Sequence, residues 1–198
     1  TWTNSYSNTF PGKILEVACL DGVFFSCHKK RINNTFDEKV TGFHFYDVDF
    51  SFGNHLSGVK CGIIFDIKLT HKSIGMTNDE WESNRVEFVK KYSFLPNTKE
   101  PCLPYSINPT IIYRDKPIKI KNAPKVSVII PTIDNVEMLF RCVDSLLEKS
   151  NYKNLEILIA DTGSSEENLE KIKNKYTQEF IKLIEYDYYH FAEINNDV

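Results

Sequence analysis

Apolar residues in the C-terminal part of this chain alternate between short unbroken runs and helical spacing. Val126-Ser-Val-Ile-Ile130 has strand length, and Pro131 is expected to end it. Val136, Leu139, Phe140, Val143, Leu146 and Leu147 then recur at three- and four-residue spacing, which marks one face of an amphipathic helix. Leu155-Glu-Ile-Leu-Ile159 reads as a second strand. Leu169, Ile172 and Tyr176 mark a second helix face, and Ile181-Lys-Leu-Ile-Glu-Tyr186 a third strand. Asp134 with Glu137, and Ser164 with Glu167, have the spacing of capping boxes. Glu166, Glu167 and Glu170 lead the second helix and Lys171, Lys173 and Lys175 close it, as the macrodipole favours. Strand–helix–strand–helix–strand with short loops predicts a parallel sheet with right-handed crossovers.

The N-terminal part is mixed. Apolar runs between Glu16 and Cys27 are interrupted by the turn-like Asp21-Gly22. The β-branched stretch from Val59 to Thr70 predicts one or two strands around Asp66. Thr77 and Glu80 again have capping-box spacing. Trp81, Arg85, Phe88 and Tyr92 follow on one face, so a helix is predicted over about 78–92.

Proline divides the two parts. Six of the eight prolines (Pro96, Pro101, Pro104, Pro109, Pro117 and Pro124) fall between Lys91 and Lys125. Each lacks a backbone donor and fixes φ, so the stretch cannot propagate a helix or a central strand. The expected organisation is residues 1–95, a proline-rich linker over 96–124, and residues 125–198.

Composition narrows the class. With 198 residues, 41% hydrophobic, 26% charged and a net charge of -3, the chain suits a globular protein with a sizeable core. The slight acidity gives no basic footprint for nucleic acid. No apolar run is long enough for a transmembrane segment. The five cysteines (Cys19, Cys27, Cys61, Cys102 and Cys142) are scattered without a Cys-x-x-Cys pair, which suits reduced thiols in a cytoplasmic protein. The chain starts at Thr1 rather than Met and stops at Val198 soon after a helix start, so a fragment of a longer protein is expected.

Parallel sheets bind ligands beyond the carboxyl ends of their strands. That directs attention to Pro131-Thr-Ile-Asp134 and to Ala160-Asp-Thr-Gly-Ser164. Neither carries the glycine fingerprint of a dinucleotide site or a Walker loop. Asp134 and Ser164 read equally as helix caps, whereas Asp161 precedes any helix and could accept hydrogen bonds from a base or ribose. In the N-terminal part, Asp47 and Asp49 are two positions apart. On a helix they point about 200° apart and cannot share one task. Either could also simply satisfy free amides at a helix start. His28, His44 and His55 read as surface or loop residues.

Val126-Ser-Val-Ile-Ile-Pro-Thr132, the helix ending Ser145-Leu-Leu147 and Leu155-Glu-Ile-Leu-Ile-Ala-Asp-Thr-Gly-Ser164 together resemble the opening of a family 2 glycosyltransferase. Phe191-Ala-Glu-Ile-Asn-Asn196 is similar to that family's segment after the third strand. The resemblance implies an α/β GT-A-type (Rossmann-like) fold, a mostly parallel sheet flanked by helices. It further implies that Pro131, Thr132, Asp134, Asp161 and Asn196 bind the nucleotide of a nucleotide-sugar donor, a UDP-sugar being the first candidate. The family's Asp-x-Asp motif, which holds Mg²⁺ or Mn²⁺ against the diphosphate, is expected beyond Val198.

Val17-Ala-Cys-Leu-Asp-Gly-Val-Phe-Phe25, Phe36-Asp-Glu38, Phe43-His-Phe-Tyr-Asp-Val-Asp49 and Leu69-Thr-His-Lys-Ser-Ile-Gly75 resemble the closing part of such an enzyme, near the streptomycin-biosynthesis-type subgroup. This likeness makes Asp47 the catalytic base and His71 a metal ligand, with Asp21, Gly22 and Asp49 bordering the acceptor pocket. Where many relatives have Glu-Asp, this chain has Tyr46-Asp47. A closing part that precedes an opening part implies either two partial domains from a tandem enzyme or one permuted, incomplete domain. The implied activity is metal-assisted, inverting sugar transfer to a glycan or lipid-linked acceptor in surface polysaccharide synthesis, in the cytoplasm or at the inner face of the membrane. A non-catalytic nucleotide-binding or interaction module is the alternative, and a dinucleotide enzyme a distant third.

Overall fold

In the computed structural model the two sequence rhythms become two separate sheets, and the described residues are 13–22, 24–64, 77–95, 111–113 and 122–197. The chain divides into two compact units, Thr1–Ile118 and Lys119–Val198.

The first unit holds a three-stranded sheet with β1 (Lys13–Val17) at its centre. Strands β2 (Cys61–Ile64) and β3 (Ile111–Tyr113) pair with β1 on either side, both antiparallel. The mostly parallel sheet expected of the whole chain therefore does not extend to this unit. Strand β3 also falls inside the stretch read as linker. Ile111-Ile-Tyr113 lies clear of Pro109 and Pro117, and as an edge strand it needs a ladder partner on one side only. The remainder of the predicted strands around Asp66, and most of the proline-rich stretch, lie outside the described residues.

Among its described residues this unit also holds two α-helices, α1 (Tyr46–Leu56) and α2 (Asp79–Lys91). Aromatic side chains join them: Phe52 of α1 meets Phe88 and Tyr92, with ring centroids 5.9 and 4.9 Å apart. On another side of α1, Phe50 stacks on Phe36 at 4.2 Å. Asn54 is fully buried and fully bonded. Its carbonyl oxygen accepts from the amides of Asn33 and Asn34 at 2.8 and 3.1 Å. Its amide group donates to the Asn34 and Phe50 carbonyls at 3.0 and 2.9 Å, which pins the 33–34 loop to the helix. The cap of α2 is Asn78, whose side chain accepts from the Trp81 amide at 2.8 Å, one residue later than the Thr77 spacing predicts.

The second unit follows its pattern closely. Strands β4 (Val126–Thr132), β5 (Leu155–Asp161) and β6 (Ile181–Glu185) form a parallel sheet in that order. Helices α3 (Val136–Lys149) and α4 (Glu166–Lys175) are the crossovers, and α5 (Phe191–Asp197) follows β6. Pro131 does not end β4. The Val126 amide and the Thr132 carbonyl both bond toward β5, so by alternation the Pro131 nitrogen faces the open edge, where no donor is needed.

The core of this unit forms where Leu139 and Val143 of α3 and Ile172 of α4 meet Ile157, Ile159 and Ile181 of the sheet. Each such side chain contributes about 1.5–3 kcal/mol when fully buried. Among the described residues, no helix is long and apolar enough to cross a membrane.

Candidate functional site

Register places the two strand ends of interest level with one another, since Thr132 pairs with Asp161. The Thr162 amide continues the ladder to the Thr132 carbonyl at 2.9 Å, and its hydroxyl donates to the same oxygen at 3.1 Å. Beyond Asp161 the chain turns sharply at Gly163, whose φ of 113° excludes a β-carbon without strain. The turn wraps around the Asp161 carboxylate. Oδ1 accepts from the amides of Gly163 and Ser164 at 3.1 and 2.9 Å, and Oδ2 accepts a short bond from the Ser164 hydroxyl. Asp161 is 2% exposed, so these bonds fix its orientation.

Asp134 and Ser164 are not the helix caps their spacing predicts. Asn135 caps α3, its side chain accepting from the Met138 amide at 3.3 Å, and Ser165 occupies the cap position of α4 without a side-chain bond. Asp134 instead adopts φ 51°, a left-handed conformation that Asp tolerates, and turns toward α4. Its carboxylate accepts from the Ser165 amide at 2.8 Å and from the Asn168 side chain at 2.9 Å. These bonds hold its carboxyl below the usual carboxylate range. The Asp134 amide donates to Ser164 Oγ at 2.7 Å. Ser164 thus links both strand-end loops, accepting from one and donating to Asp161 in the other.

Beside this polar junction lies a crevice of about 410 Å³ at the carboxyl ends of β4 and β5. Pro131, Thr132 and Ile133 line it from the strand end, Met138 and Cys142 from α3, and Thr162 and Tyr189 from beyond β5 and β6. Apolar walls with a few polar groups are the usual lining of a small-molecule site. Of the expected nucleotide residues, Pro131 and Thr132 line it. Asp134 and Asp161 belong to the adjoining junction, and Asn196 sits half-buried on α5. Thr162 and Asn135 were not singled out from sequence, because their place follows from strand register and from the turn at Asp134.

The first unit carries the other candidate residues. Asn84 of α2 donates to the Thr41 and His44 carbonyls, both at 3.0 Å, and holds the turn that leads into α1. Phe45 ends that turn at φ 70°, unusual for a bulky residue, with its ring between Trp81 and Phe88 at 5.4 and 5.5 Å. Asp47 follows at the start of α1. Its Oδ1 accepts from the Val48 amide at 2.8 Å and its Oδ2 from the Gly22 amide at 2.6 Å. Ser51 reinforces the same junction, accepting from the Leu20 amide at 2.9 Å and donating to the Asp47 carbonyl at 2.6 Å. Burial pushes the Asp47 carboxyl up, the charge of Asp21 adds to this, and the Val48 and Gly22 amides pull it back.

Asp49 faces elsewhere, as the helical geometry predicts. Its buried carboxylate pairs with Lys91 at 2.8 Å, and Lys91 also reaches Asp37 at 2.7 Å. Burial opposes the Lys91 charge, but the two carboxylates outweigh it and push its pKa up. A second cavity of about 740 Å³ opens here, lined by Phe36, Asp37, Glu38, Asp49, Lys91 and Tyr92 among others. Asp49 therefore borders a cavity that neither Asp47 nor Gly22 lines. His71 lies outside the described residues. Among the described residues no three His, Cys, Asp or Glu side chains converge to hold a metal ion.

The parallel sheet, the crevice at its strand ends and the tethered acidic pair set the expectation for comparison with known proteins. Residues 127–190 match the family described as glycosyl transferase family 2. The matched segment spans β4 to the loop after β6 and includes the whole of the Asp134–Ser164–Asp161 junction. It points to glycosyl transfer, in general terms, as the chemistry of this segment. No curated protein and no solved structure matches the chain.

Proposed function

We propose that residues 119–198 form the nucleotide-binding part of a glycosyltransferase that uses a nucleotide-sugar donor, a UDP-sugar first. The observation that carries this reading is the coincidence of the family match over 127–190 with the crevice at the carboxyl ends of β4 and β5. Pro131 and Thr132 would line the nucleotide there, and Asp161, held as an oriented acceptor, would receive an N–H of the base. Asp134 would fix the neighbouring loop. Asn196 would approach the nucleotide from α5.

Residues 1–118 would be the acceptor-side part of a preceding glycosyltransferase domain, in a parent protein with tandem domains. A sheet and a packed helix pair of its own support treating this unit as a separate body. In that domain Asp47 would take the proton of an acceptor hydroxyl as its oxygen attacks the anomeric carbon. The bond from that carbon to the phosphate oxygen breaks at the same time, and its electron pair leaves with the nucleotide diphosphate, which inverts the centre. A carboxyl raised by burial suits a base working near neutrality, and such assistance is worth about 10²–10⁴-fold in rate. By the resemblance a Mg²⁺ or Mn²⁺ ion, with His71 among its ligands, would neutralise the departing diphosphate. A glycan or lipid-linked acceptor, and work at the inner face of a membrane in polysaccharide synthesis, complete the reading.

Calorimetric titration of the full chain with UDP, UDP-sugars and NAD, each with and without Mn²⁺, tests it. Saturable binding of the uridine nucleotides with no NAD binding is expected. Binding without sugar release by the parent protein would favour a non-catalytic nucleotide module, and NAD binding a dinucleotide enzyme.

A further inference from the structure

Among the described residues that line the crevice at the ends of β4 and β5, none carries a charge. Its polar groups are neutral: the hydroxyls of Thr132 and Thr162, the amide of Asn135 and the phenol of Tyr189. Ile133, Met138 and Tyr189 are large side chains left exposed, and all three line this one crevice. They come from the loop after β4, from α3 and from the loop after β6. Burial pushes the Tyr189 phenol up, as an apolar setting does. A diphosphate is held by cations or by free amides at a helix start. The start of α3 lies at the crevice, but the Asn135 side chain already accepts from the Met138 amide at 3.3 Å. The adjoining junction adds the carboxylates of Asp134 and Asp161, which repel a phosphate.

We propose that this crevice takes only the uncharged nucleoside end of the donor, with Tyr189 and Met138 as walls against the flat face of the base. The diphosphate lies outside it. This rests on the nucleotide reading of residues 119–198. A base offers flat apolar faces for stacking and a polar edge. The faces suit the Tyr189 ring and the Met138 thioether, whose polarizable sulfur packs well on aromatic rings. The neutral groups suit the ribose. The Thr162 hydroxyl gives its proton to the Thr132 carbonyl at 3.1 Å, so toward a ligand it can only accept. A ribose hydroxyl supplies the matching donor. Tyr189 and Met138 are thus specificity-determining residues: they select for a nucleoside, and the phosphates add little to the affinity of this chain.

The test follows the ¹³C-labelled methionine methyl signals of the full chain during titration with uridine, UDP and inorganic pyrophosphate, without added metal. The chain has two methionines, so Met76 in the first unit is the internal control, and Met138→Leu assigns the signals. Uridine and UDP are expected to shift the Met138 methyl saturably and to leave Met76 in place, with affinities within about fivefold of one another. Pyrophosphate is expected to shift neither. Tyr189→Ala is expected to weaken uridine binding about tenfold at unchanged circular dichroism, whereas Tyr189→Phe, which keeps the ring, retains it. UDP binding that leaves the Met138 methyl unmoved, that exceeds uridine by more than about fivefold, or that survives Tyr189→Ala undiminished overturns the proposal and leaves the nucleotide reading standing. A Met138 shift with pyrophosphate overturns it likewise. Absence of binding by uridine and UDP alike overturns both.

Discussion

The backbone amide of Gly22 donates to Asp47 Oδ2 at 2.6 Å, and so ties the turn after β1 to the first turn of α1. The second tie, from the Leu20 amide to Ser51 Oγ at 2.9 Å, lies one helical turn further on. Together they give a half-buried carboxylate a fixed direction. On the proposed role of Asp47 as general base, Asp47→Asn in the proposed parent protein is expected to lower turnover by about 10²–10⁴-fold while nucleotide affinity stays within a factor of two or so. Unchanged turnover in a steady-state assay would remove Asp47 from the mechanism.

Lys91 holds the opposite side of α1. Replacing it with Met would leave the Asp49 carboxylate, 6% exposed, without its ion-pair partner. Because Lys91 itself is 42% exposed, the pair is partly screened, and the expected loss is about 1–3 kcal/mol. Both tryptophans, Trp2 and Trp81, belong to the first unit, so urea unfolding followed by tryptophan fluorescence reads that unit selectively.

The same unit carries two opposed pH dependences. The Lys91 hydrogen bond lowers the Asp37 carboxyl below its ordinary value of 3.8, against a smaller upward push from burial. Its stabilising contribution is therefore complete above pH 3.8 and is lost as pH falls through the lowered folded value. Asp47 is raised above 3.8, so its ionisation costs stability as pH rises from 3.8 through the raised folded value. Lys91→Met should move acid unfolding of the first unit to higher pH. Asp47→Asn should remove the decline in stability above pH 3.8. Urea midpoints measured across pH 3–7 separate the two.

In the second unit, Ile159 is wholly buried at the centre of β5. Ile159→Ala is expected to cost about 2–5 kcal/mol through lost burial and the cavity left behind. Ser164→Ala acts differently. It removes one bond to Asp161 and one from the Asp134 amide at an exposed edge, and should cost only about 1–2 kcal/mol of stability. Its larger effect is expected on nucleotide affinity, because Asp161 loses one of the bonds that orient it. Parallel urea and calorimetric titrations of the two variants test the distinction.

How far the sequence foretold this arrangement varies with the range of the forces involved. The strands and helices from Val126 to Glu185 and the helix over Asp79–Lys91 follow from periodicity, and their limits agree closely. The caps do not. At Asp134, Ser164 and Thr77 the next residue is an equally capable cap, and at the first two the choice follows contacts across the fold. Asp134 turned toward α4 and Ser164 toward Asp161, leaving the cap position to Asn135 in one case and to Ser165 in the other. Pro131 reads locally as a strand end but sits on an edge where its missing donor is harmless. The pairing of Asp49 with Lys91 and the bond from the Gly22 amide to Asp47 join residues distant in sequence, and no local pattern announces them.

The central claim, that a nucleotide binds at the strand ends of the second unit, is tested most directly by adding UDP to the ¹⁵N-labelled full chain and following amide shifts. Saturable changes centred on Thr132, Ile133, Thr162, Gly163 and Ser164 are predicted, with little change at Ser127 and Glu156 near the opposite strand ends. No change with UDP, or changes spread evenly along β4 and β5, would contradict it.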